Sequence, residues 1–251
     1  MLTLQSIEKS FKLPLMNEYF LRYLIPSKHQ IDVPSTNFDN PIKHKKIIIF
    51  GDTASGKTTL ARALNNQYIK AYGVDNVNSI ISYNISDVLY FGLNKKLVQF
   101  HYIDDYTLSN ESKDVISSFF KIRNIWKNNY QANNGLIVSI FGLHRFYSSV
   151  TELRSVANLI LVKSDSINPY DHSLIKKYIG QDGIDDLSLL EEYKEDYPSL
   201  KDYSIFHTRS KQTGLVKFPQ VKEDNLTDVK ILINKFSSVE KMVRISNILK
   251  V

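Results

Sequence analysis

The sequence predicts an α/β protein in three layers, with helices on both faces of a mainly parallel, five-stranded core sheet. Two observations lead to this prediction. Short apolar runs of strand length alternate five times with helical stretches, and no hairpin signal occurs before residue 203. The first of these runs, residues 47–50, is unbroken, which is typical of strands buried on both faces of a parallel sheet. An N-terminal arm and C-terminal helices extend this core.

The elements of the core follow one another in a regular order. The stretch 57–72 has apolar residues at helical spacing and stops at Gly73, a residue that favours helix ends. The five predicted strands cover residues 47–50, 79–83, 97–103, 136–141 and 159–162. The predicted helices cover residues 57–72, 86–93, 111–130, 169–179 and 184–195. A late hairpin is expected over residues 203–208 and 214–219, and one or two helices after residue 225.

The chain divides into three predicted parts. Residues 1–45 form an N-terminal amphipathic segment and linker, residues 46–220 the core, and residues 221–251 a C-terminal helical segment. Pro14 is expected to break the amphipathic segment in two. The prolines and polar residues of 26–45 predict an extended arm, which packs either on its own domain or on something larger.

Composition limits the function classes. Of the 251 residues, 43% are hydrophobic and 23% are charged, which is typical of a globular protein and not of a disordered chain. The formal net charge of +6 is compatible with a nucleic-acid partner. The lack of cysteine excludes disulfides, thiol catalysis and zinc bound by cysteine. We expect a cytoplasmic protein, in the host cytoplasm if viral, since neither a membrane-spanning run nor a signal peptide is recognisable.

The segment from Gly51 to Thr58 fits the pattern G-x-x-x-x-G-K-[ST] and lies between a predicted strand and a predicted helix. Gly51 and Gly56 let the backbone curl, so that its N–H groups can point at phosphate oxygens. Lys57 neutralises the β- and γ-phosphates, and the hydroxyl of Thr58 is a hard oxygen ligand for Mg²⁺. The pattern therefore predicts ATP and Mg²⁺ as cofactors. The predicted nucleotide-binding residues are Gly51, Asp52, Thr53, Ala54, Ser55, Gly56, Lys57, Thr58 and Thr59.

A second candidate site follows the third predicted strand. Asp104 and Asp105 stand at its carboxyl end, where ligands bind in open α/β sheets. We expect Asp104 to hold Mg²⁺ through water and Asp105 to act as the general base for the attacking water. Because Asp105 is shorter than the more usual Glu, slow hydrolysis or nucleotide switching is also open. The alternative for both residues is a helix cap or a solvated turn.

Residues 45–180 resemble the P-loop NTPases of the additional-strand class, with Gly51–Thr58 as the Walker A motif and Phe100–Asp105 as the Walker B motif. The order of elements after Asp105 is similar to that of FtsK–HerA-type DNA pumps and packaging ATPases, and AAA+ proteins are a second possibility. This resemblance implies a sensor of the γ-phosphate after the fourth strand. His144 takes the position of the family's frequent Gln and is followed by Arg145. The alternative for His144 is a strand-end histidine without a role in catalysis.

The resemblance also implies a homo-oligomer in which each site receives an arginine finger from the neighbouring subunit. The candidates are Arg145, then Arg154, and also Arg123. The alternative for each is a surface salt bridge.

Basic residues suggest DNA, bound through its phosphates without sequence preference. They are Lys43, His44, Lys45, Lys46, Lys176, Lys177, Arg209 and Lys211. Solvated surface charge is the alternative. A protein partner could also dock on the N-terminal segment or on the C-terminal helices.

Four functions remain open at this point. The first is an ATPase that acts on DNA, as a packaging, translocation or remodelling motor of a virus, plasmid or cell. The second is an AAA+-like replication-initiation or loader ATPase that works as a nucleotide-dependent assembly switch. The third is a small-molecule kinase, which is disfavoured because the sequence has no obvious arginine-rich lid over the phosphates. A scaffold that keeps its nucleotide for stability alone is the fourth.

Overall fold

The computed structural model describes residues 3–32, 42–106, 113–145, 151–163, 169–218, 220–221 and 223–249. Over these ranges, no helix is both long enough and apolar enough to cross a membrane.

An eight-stranded sheet runs through the described residues in the order β7-β6-β5-β1-β4-β3-β2-β8. Neighbouring strands pair in parallel, except that β6 is antiparallel to both β5 and β7. The mainly parallel α/β fold is thus confirmed. The strands are β1 Ile42–Phe50, β2 Val77–Ser82, β3 Val98–Ile103, β4 Gly135–Leu143, β5 Leu159–Val162, β6 Tyr203–Thr208, β7 Thr213–Lys217 and β8 Thr227–Asp228.

The predicted five-stranded core corresponds to β5-β1-β4-β3-β2, and the sheet is wider than that core. The late hairpin exists as β6 and β7, but it also extends the sheet by pairing with β5. The two residues of β8 pair with β2 at the opposite edge. A strand of two residues has no periodicity, so no sequence pattern could have indicated β8.

Helices cover both faces of the sheet. They are α1 Leu4–Ser10, α2 Asn17–Leu24, α3 Lys28–Asp32, α4 Lys57–Tyr72, α5 Ile85–Asp87, α6 Lys113–Phe120, α7 Ile122–Tyr130, α8 Thr151–Val156, α9 Pro169–Tyr193, α10 Val229–Ile233 and α11 Ser238–Leu249. A π turn, Val88–Gly92, continues α5, and two 3₁₀ helices cover Val74–Asn76 and Pro198–Asp202.

Two predictions need correction, and one is confirmed. The helix expected over 111–130 is two helices, because Lys121 leaves the helical region with φ −95° and ψ 8°. The two helices expected after residue 169 are both present, because Gly180, with φ 74° and ψ −176°, separates two helical stretches within α9. The segment 26–45 is not extended throughout, since its residues 28–32 form the helix α3. Pro34 and Pro41 lie outside the described residues.

Alternate residues of β1 enter two separate apolar cores, as the two-residue period of a strand requires. Ile47 and Ile49 pack with the residues of α4, whereas Ile48 and Phe50 pack with those of α6, α7 and α9. Residues 47–50 are at most 3% exposed on either face of the sheet, which explains why the apolar run of β1 is unbroken.

The N-terminal segment packs on the hairpin of its own chain. The ring of Phe20 lies 5.2 Å from that of Phe206 and 5.4 Å from that of Phe218. The backbone N–H of Met16 donates to the carbonyl of Leu215 over 2.9 Å. The described part of the arm also packs on its own domain, since Ile31 of α3 is fully buried and the carbonyl of Pro26 accepts from the hydroxyl of Tyr72. The division of the chain at residues 45 and 220 stays a prediction.

Candidate functional site

The loop between β1 and α4 is tightly curled. Ala54 and Gly56 both have positive φ, 65° and 87°, and the N–H of Ser55 donates to the carbonyl of Asp52 over 3.1 Å. A Cβ atom on Gly51 would lie 2.5 Å from Oγ of Ser55. The glycines at positions 51 and 56 are therefore needed, one for space and the other for its left-handed backbone. Such a curl directs successive N–H groups inwards, as a phosphate site requires.

Lys57 begins α4, and its side chain is only 5% exposed. Its ammonium donates to the carbonyls of Gly51 and Asp52, each over 2.9 Å, and approaches Nδ1 of His144 to 3.1 Å. The charge of Lys57 is thus held inside the loop, at the positive end of the helix dipole.

Thr58 and Asp104 come from different elements and touch. Oγ1 of Thr58 donates to Oδ2 of Asp104 over 3.0 Å, and the hydroxyl of Tyr102 donates to Oδ1 of the same carboxylate over 2.6 Å. Burial, and then the charge of Asp104, raises the pKa of Tyr102 well above its usual range, so the phenol remains a donor. A hydroxyl beside an ionised carboxylate is a set of hard oxygen ligands, which fits Mg²⁺ when phosphate and water complete its shell.

Tyr102 and Gly142 are not among the predicted site residues, yet both shape this cluster. A Cβ atom on Gly142 of β4 would lie 2.6 Å from the hydroxyl of Tyr102 and 3.1 Å from Oδ1 of Asp104. Only glycine at this position lets the phenol and the carboxylate approach β4. One sequence signal could have indicated Tyr102. It stands two residues before Asp104, and residues two apart in a strand point to the same side.

His144 joins the two candidate sites. Its Nε2 is hydrogen-bonded to Oδ1 of Asp105, whose backbone has a positive φ of 46°. Since the ammonium of Lys57 can only donate, Nδ1 of His144 is the acceptor and Nε2 carries the proton given to Asp105. The predicted sensor and the predicted base are therefore in direct contact. Asp104 and Asp105 lie in a turn after β3 and Asp105 is exposed, so the roles of both residues stay predictions.

Among the three arginine-finger candidates, only Arg145 follows the carboxyl end of a strand, at the edge of the sheet where the loop between β1 and α4 lies. It is exposed and comes two residues after the end of β4. Arg123 instead faces His44 and Lys46 of β1, as its influence on their charge shows. Arg154 lies in the last turn of α8, next to the amino end of β5.

The basic residues of the sequence do not form a single surface. Lys45 is largely buried beneath Tyr23, and burial lowers its pKa to about 8. Lys46 is partly buried, and its pKa is lowered first by burial and then by the charges of Arg123 and Arg209. The exposed members are Lys43, Lys176, Lys177, Arg209 and Lys211. A cluster of positive charge thus exists around Lys46, on the half of β1 that is remote from the loop.

The chain is similar to one protein family and, distantly, to several solved structures. Residues 38–132 match the family model described as novel STAND NTPase 3. No curated protein matches the chain.

Solved structures give distant matches. The DNA-packaging ATPase B204 from Sulfolobus turreted icosahedral virus is 15% identical, with 70% of this chain and 98% of that chain covered and a TM-score of 0.45. B204 from Sulfolobus turreted icosahedral virus 2, in complex with ATP-γ-S, is 15% identical, with coverage of 73% and 100% and a TM-score of 0.45. The pCW3 conjugation coupling protein TcpA with ATP-γ-S is 12% identical, with coverage of 89% and 73% and a TM-score of 0.42. These values are too low to transfer a function.

The family match, the Gly51–Thr58 motif and its position between a buried parallel strand and a helix agree with one another. The resemblance expected from the sequence is thereby confirmed for the part of the chain that the family model covers: residues 38–132 are those of a P-loop NTPase.

Proposed function

We propose that this chain is an ATPase that binds ATP with Mg²⁺ at the loop between β1 and α4. The observation that carries the proposal is the contact between Thr58 and Asp104, 3.0 Å apart and supplied by two different elements. Lys57 neutralises the β- and γ-phosphates, and the curled backbone from Gly51 to Gly56 receives their oxygens. Thr58 would hold Mg²⁺ directly, and Asp104 would hold it through water. The ion would offset the phosphate charge as the terminal phosphate leaves.

The residues after β3 and β4 supply the hydrolytic groups. Asp105 accepts the proton of the attacking water, and the Nε2–H of His144 fixes the orientation of its carboxylate. Arg145 stabilises the charge that develops on the phosphate, acting across a subunit interface. Replacing Asp105 with Asn should keep ATP binding and abolish turnover. If the variant hydrolyses ATP at the wild-type rate, Asp105 is not the base.

We further propose that the ATPase acts on DNA as a homo-oligomer, as a packaging, translocation or remodelling motor in the cytoplasm. The positive cluster of Lys46, Arg123 and Arg209 supports a polyanionic partner. Burial, and then the charges of Arg123 and Arg209, lower the pKa of Lys46, and a phosphate placed there would offset those charges. Contacts of this kind bind backbone phosphates without reading bases.

An assembly switch of the AAA+-like loader kind is the second candidate, and one observation favours it. The carboxylate of Asp105 is short and already bonded to His144, so the water it would activate must reach it at greater distance than with Glu. Slow turnover combined with ATP-dependent assembly would then be the activity. Light scattering with a non-hydrolysable ATP analogue separates the two, since a switch assembles with nucleotide and hydrolyses poorly even with DNA.

The DNA role is tested by ATP hydrolysis and by fluorescence anisotropy with single-stranded and duplex DNA at low and moderate salt. We expect stimulated hydrolysis and an affinity that falls steeply with salt. Arg209→Glu should weaken binding to all sequences and reduce the salt slope by about 1 or more. Lys70→Glu, an exposed substitution on α4, is the matched control. Lack of both stimulation and low-salt binding would exclude DNA and leave the ATPase in place.

A further inference from the structure

A cavity of about 640 Å³ lies at the amino ends of β2, β3 and β4, at the edge of the sheet opposite to the loop between β1 and α4. Three short segments line it, namely residues 75–76 before β2, residues 95–97 before β3 and residues 131–134 before β4. Trp126 and Tyr130 of α7 complete the lining. Cavities of roughly 300–1,000 Å³ are the usual size for bound small groups. The site proposed above for ATP uses no residue of this cavity.

Hydrogen bonds and close packing hold the walls of this cavity in place. The indole N–H of Trp126 donates to the carbonyl of Asn94 over 2.7 Å. Gly135 lets the indole approach the start of β4, since a Cβ atom there would lie 2.6 Å from the ring. The ammonium of Lys96 donates to the carbonyl of Val74 over 3.0 Å and so connects the segment before β3 to the segment before β2. The cavity is therefore preformed.

Side-chain amides are the main polar groups of the cavity. Gln131 and Asn133 are exposed, and within the part of the chain that the structure describes their side chains make no hydrogen bond. The neighbouring Asn134 donates to the carbonyl of Asp32 over 2.9 Å. An amide both donates and accepts hydrogen bonds, as the edges of nucleobases do. Lys95, which is also exposed, adds a positive charge to the same lining.

Tyr130 supplies an aromatic ring beside these amides. The ring is half-buried, and its hydroxyl accepts from Nη1 of Arg244 on α11 over 3.2 Å. A ring held in this way is a platform on which a base can stack. Stacking of this kind tolerates any sequence, because every base has a π face.

Helix α7 connects the cavity to the positive cluster of Lys46, Arg123 and Arg209. Arg123, Trp126 and Tyr130 follow one another at spacings of three and four, so they share one side of the helix. Seven residues of an α-helix span about 10 Å, which is the interval of about three phosphates along one strand of DNA. A strand whose phosphates lie at the cluster can therefore place a nearby base in the cavity.

We propose that this cavity binds an unpaired base of single-stranded DNA, whose neighbouring phosphates lie at the positive cluster. The inference rests on the proposed action on DNA and specifies the form of the DNA. Tyr130 stacks on the base, and the amides of Gln131 and Asn133 form hydrogen bonds with its edge. Lys95 pairs with a phosphate of the same strand. Because an amide that turns over exchanges its donor and its acceptor, the cavity accepts more than one kind of base.

The test measures dissociation constants by fluorescence anisotropy at low salt for three probes of equal length. They are single-stranded DNA of mixed sequence, a strand with abasic sites, and a duplex. Wild-type protein should bind the normal strand at least tenfold more tightly than the abasic strand. Tyr130→Leu should weaken binding of the normal strand at least fivefold and leave the other two probes within twofold. Tyr83→Leu, beyond the carboxyl end of β2 and 49% exposed, is the matched control and should change none.

Each outcome decides. If Tyr130→Leu unfolds, as its melting curve would show, the exposed substitution Asn133→Leu takes its place, with Asn247→Leu on α11 as control. Equal affinity of wild-type protein for the normal and the abasic strand overturns the base site and leaves phosphate binding intact. Unchanged binding of the normal strand by a folded variant overturns the assignment to this cavity.

An equal loss of duplex binding in that variant overturns the assignment to an unpaired base. If wild-type protein binds none of the three probes, the proposed role on DNA fails and the inference fails with it. ATP hydrolysis without DNA, measured on the same proteins, separates that result from a failure of the ATPase itself.

Discussion

Nζ of Lys57 lies 3.1 Å from Nδ1 of His144, although the two residues stand 87 positions apart in the chain. This contact connects the phosphate loop to the end of β4. The other ring nitrogen of His144, Nε2, is hydrogen-bonded to Asp105. A γ-phosphate that attracts Lys57 would therefore act on the base through one imidazole ring.

We predict that His144→Ala lowers kcat by about 100-fold, which is typical of one positioned polar group in a hydrolytic site. KM should change much less, because the loop backbone and Lys57 still hold the phosphates. His144→Gln should recover part of the rate, since an amide can both accept from Lys57 and donate to Asp105. Steady-state ATP hydrolysis checks this, with the exposed substitution His29→Ala as control. Full activity in His144→Ala would contradict the role.

Asp104→Asn removes a charge and keeps the shape of the side chain. We predict that ATP affinity in Mg²⁺ falls at least tenfold, whereas affinity in EDTA changes little, because only the metal-bound complex uses the carboxylate. Thermal melting with ATP, with and without Mg²⁺, measures the effect, and Asp75→Asn on the exposed 3₁₀ turn after α4 is the control. An unchanged Mg²⁺ response would place the ion elsewhere.

Arg145→Ala should lose activity in the assembled protein and retain ATP binding. If the arginine acts across the interface, mixing this variant with Lys57→Ala protein restores part of the turnover, because one mixed interface contains both intact groups. Arg154→Ala, mixed with Lys57→Ala protein in the same way, is the comparison. This variant should retain its own activity, because Arg154 lies beside the amino end of β5. Failure of the mixture to recover any turnover would remove Arg145 from the interface.

Alkaline pH should weaken the fold through Tyr72. Its hydroxyl donates to the carbonyl of Pro26, and burial raises its pKa to about 12. The unfolded chain ionises first, near pH 10, so this stabilisation is complete below pH 10 and is lost as pH rises towards 12. Tyr72→Phe should therefore be less stable than wild type at pH 8 but lose less stability between pH 10 and 12. Denaturant unfolding measures this, with the half-exposed Tyr83→Phe as control.

Identical steepness of the pH dependence in wild type and Tyr72→Phe would contradict this account of Tyr72. Other buried phenols, among them Tyr68, Tyr102 and Tyr203, also have raised pKa values and remain in both proteins, so the comparison isolates one group.

Much of the core was predictable because local patterns coincide with it. Helix α4 has the predicted bounds of 57–72, since apolar spacing and Gly73 both act locally. β5 likewise has the predicted bounds of 159–162. The break at Lys121 was not predictable, because the apolar stripe continues across it and the interruption depends on how α6 and α7 pack against β4.

The candidate site was likewise predictable only in part. The loop residues follow from one contiguous motif, and the position of Asp104 follows from the end of β3. The contacts of Tyr102 with Asp104, and of His144 with both Lys57 and Asp105, depend on which strands are neighbours. Strand order depends on contacts between residues that are far apart in the chain. A single sequence therefore predicts that these residues lie at one edge of the sheet, but not which of them contact each other.

The most direct test of the whole account is calorimetry of ATP binding with Mg²⁺ to the wild-type protein and to Lys57→Ala. The account predicts saturable, Mg²⁺-dependent binding to wild type and no measurable binding to the variant, with both proteins melting as folded species when ATP is absent. Absence of heat with wild-type protein at millimolar ATP, or equal binding by the two proteins, would contradict it.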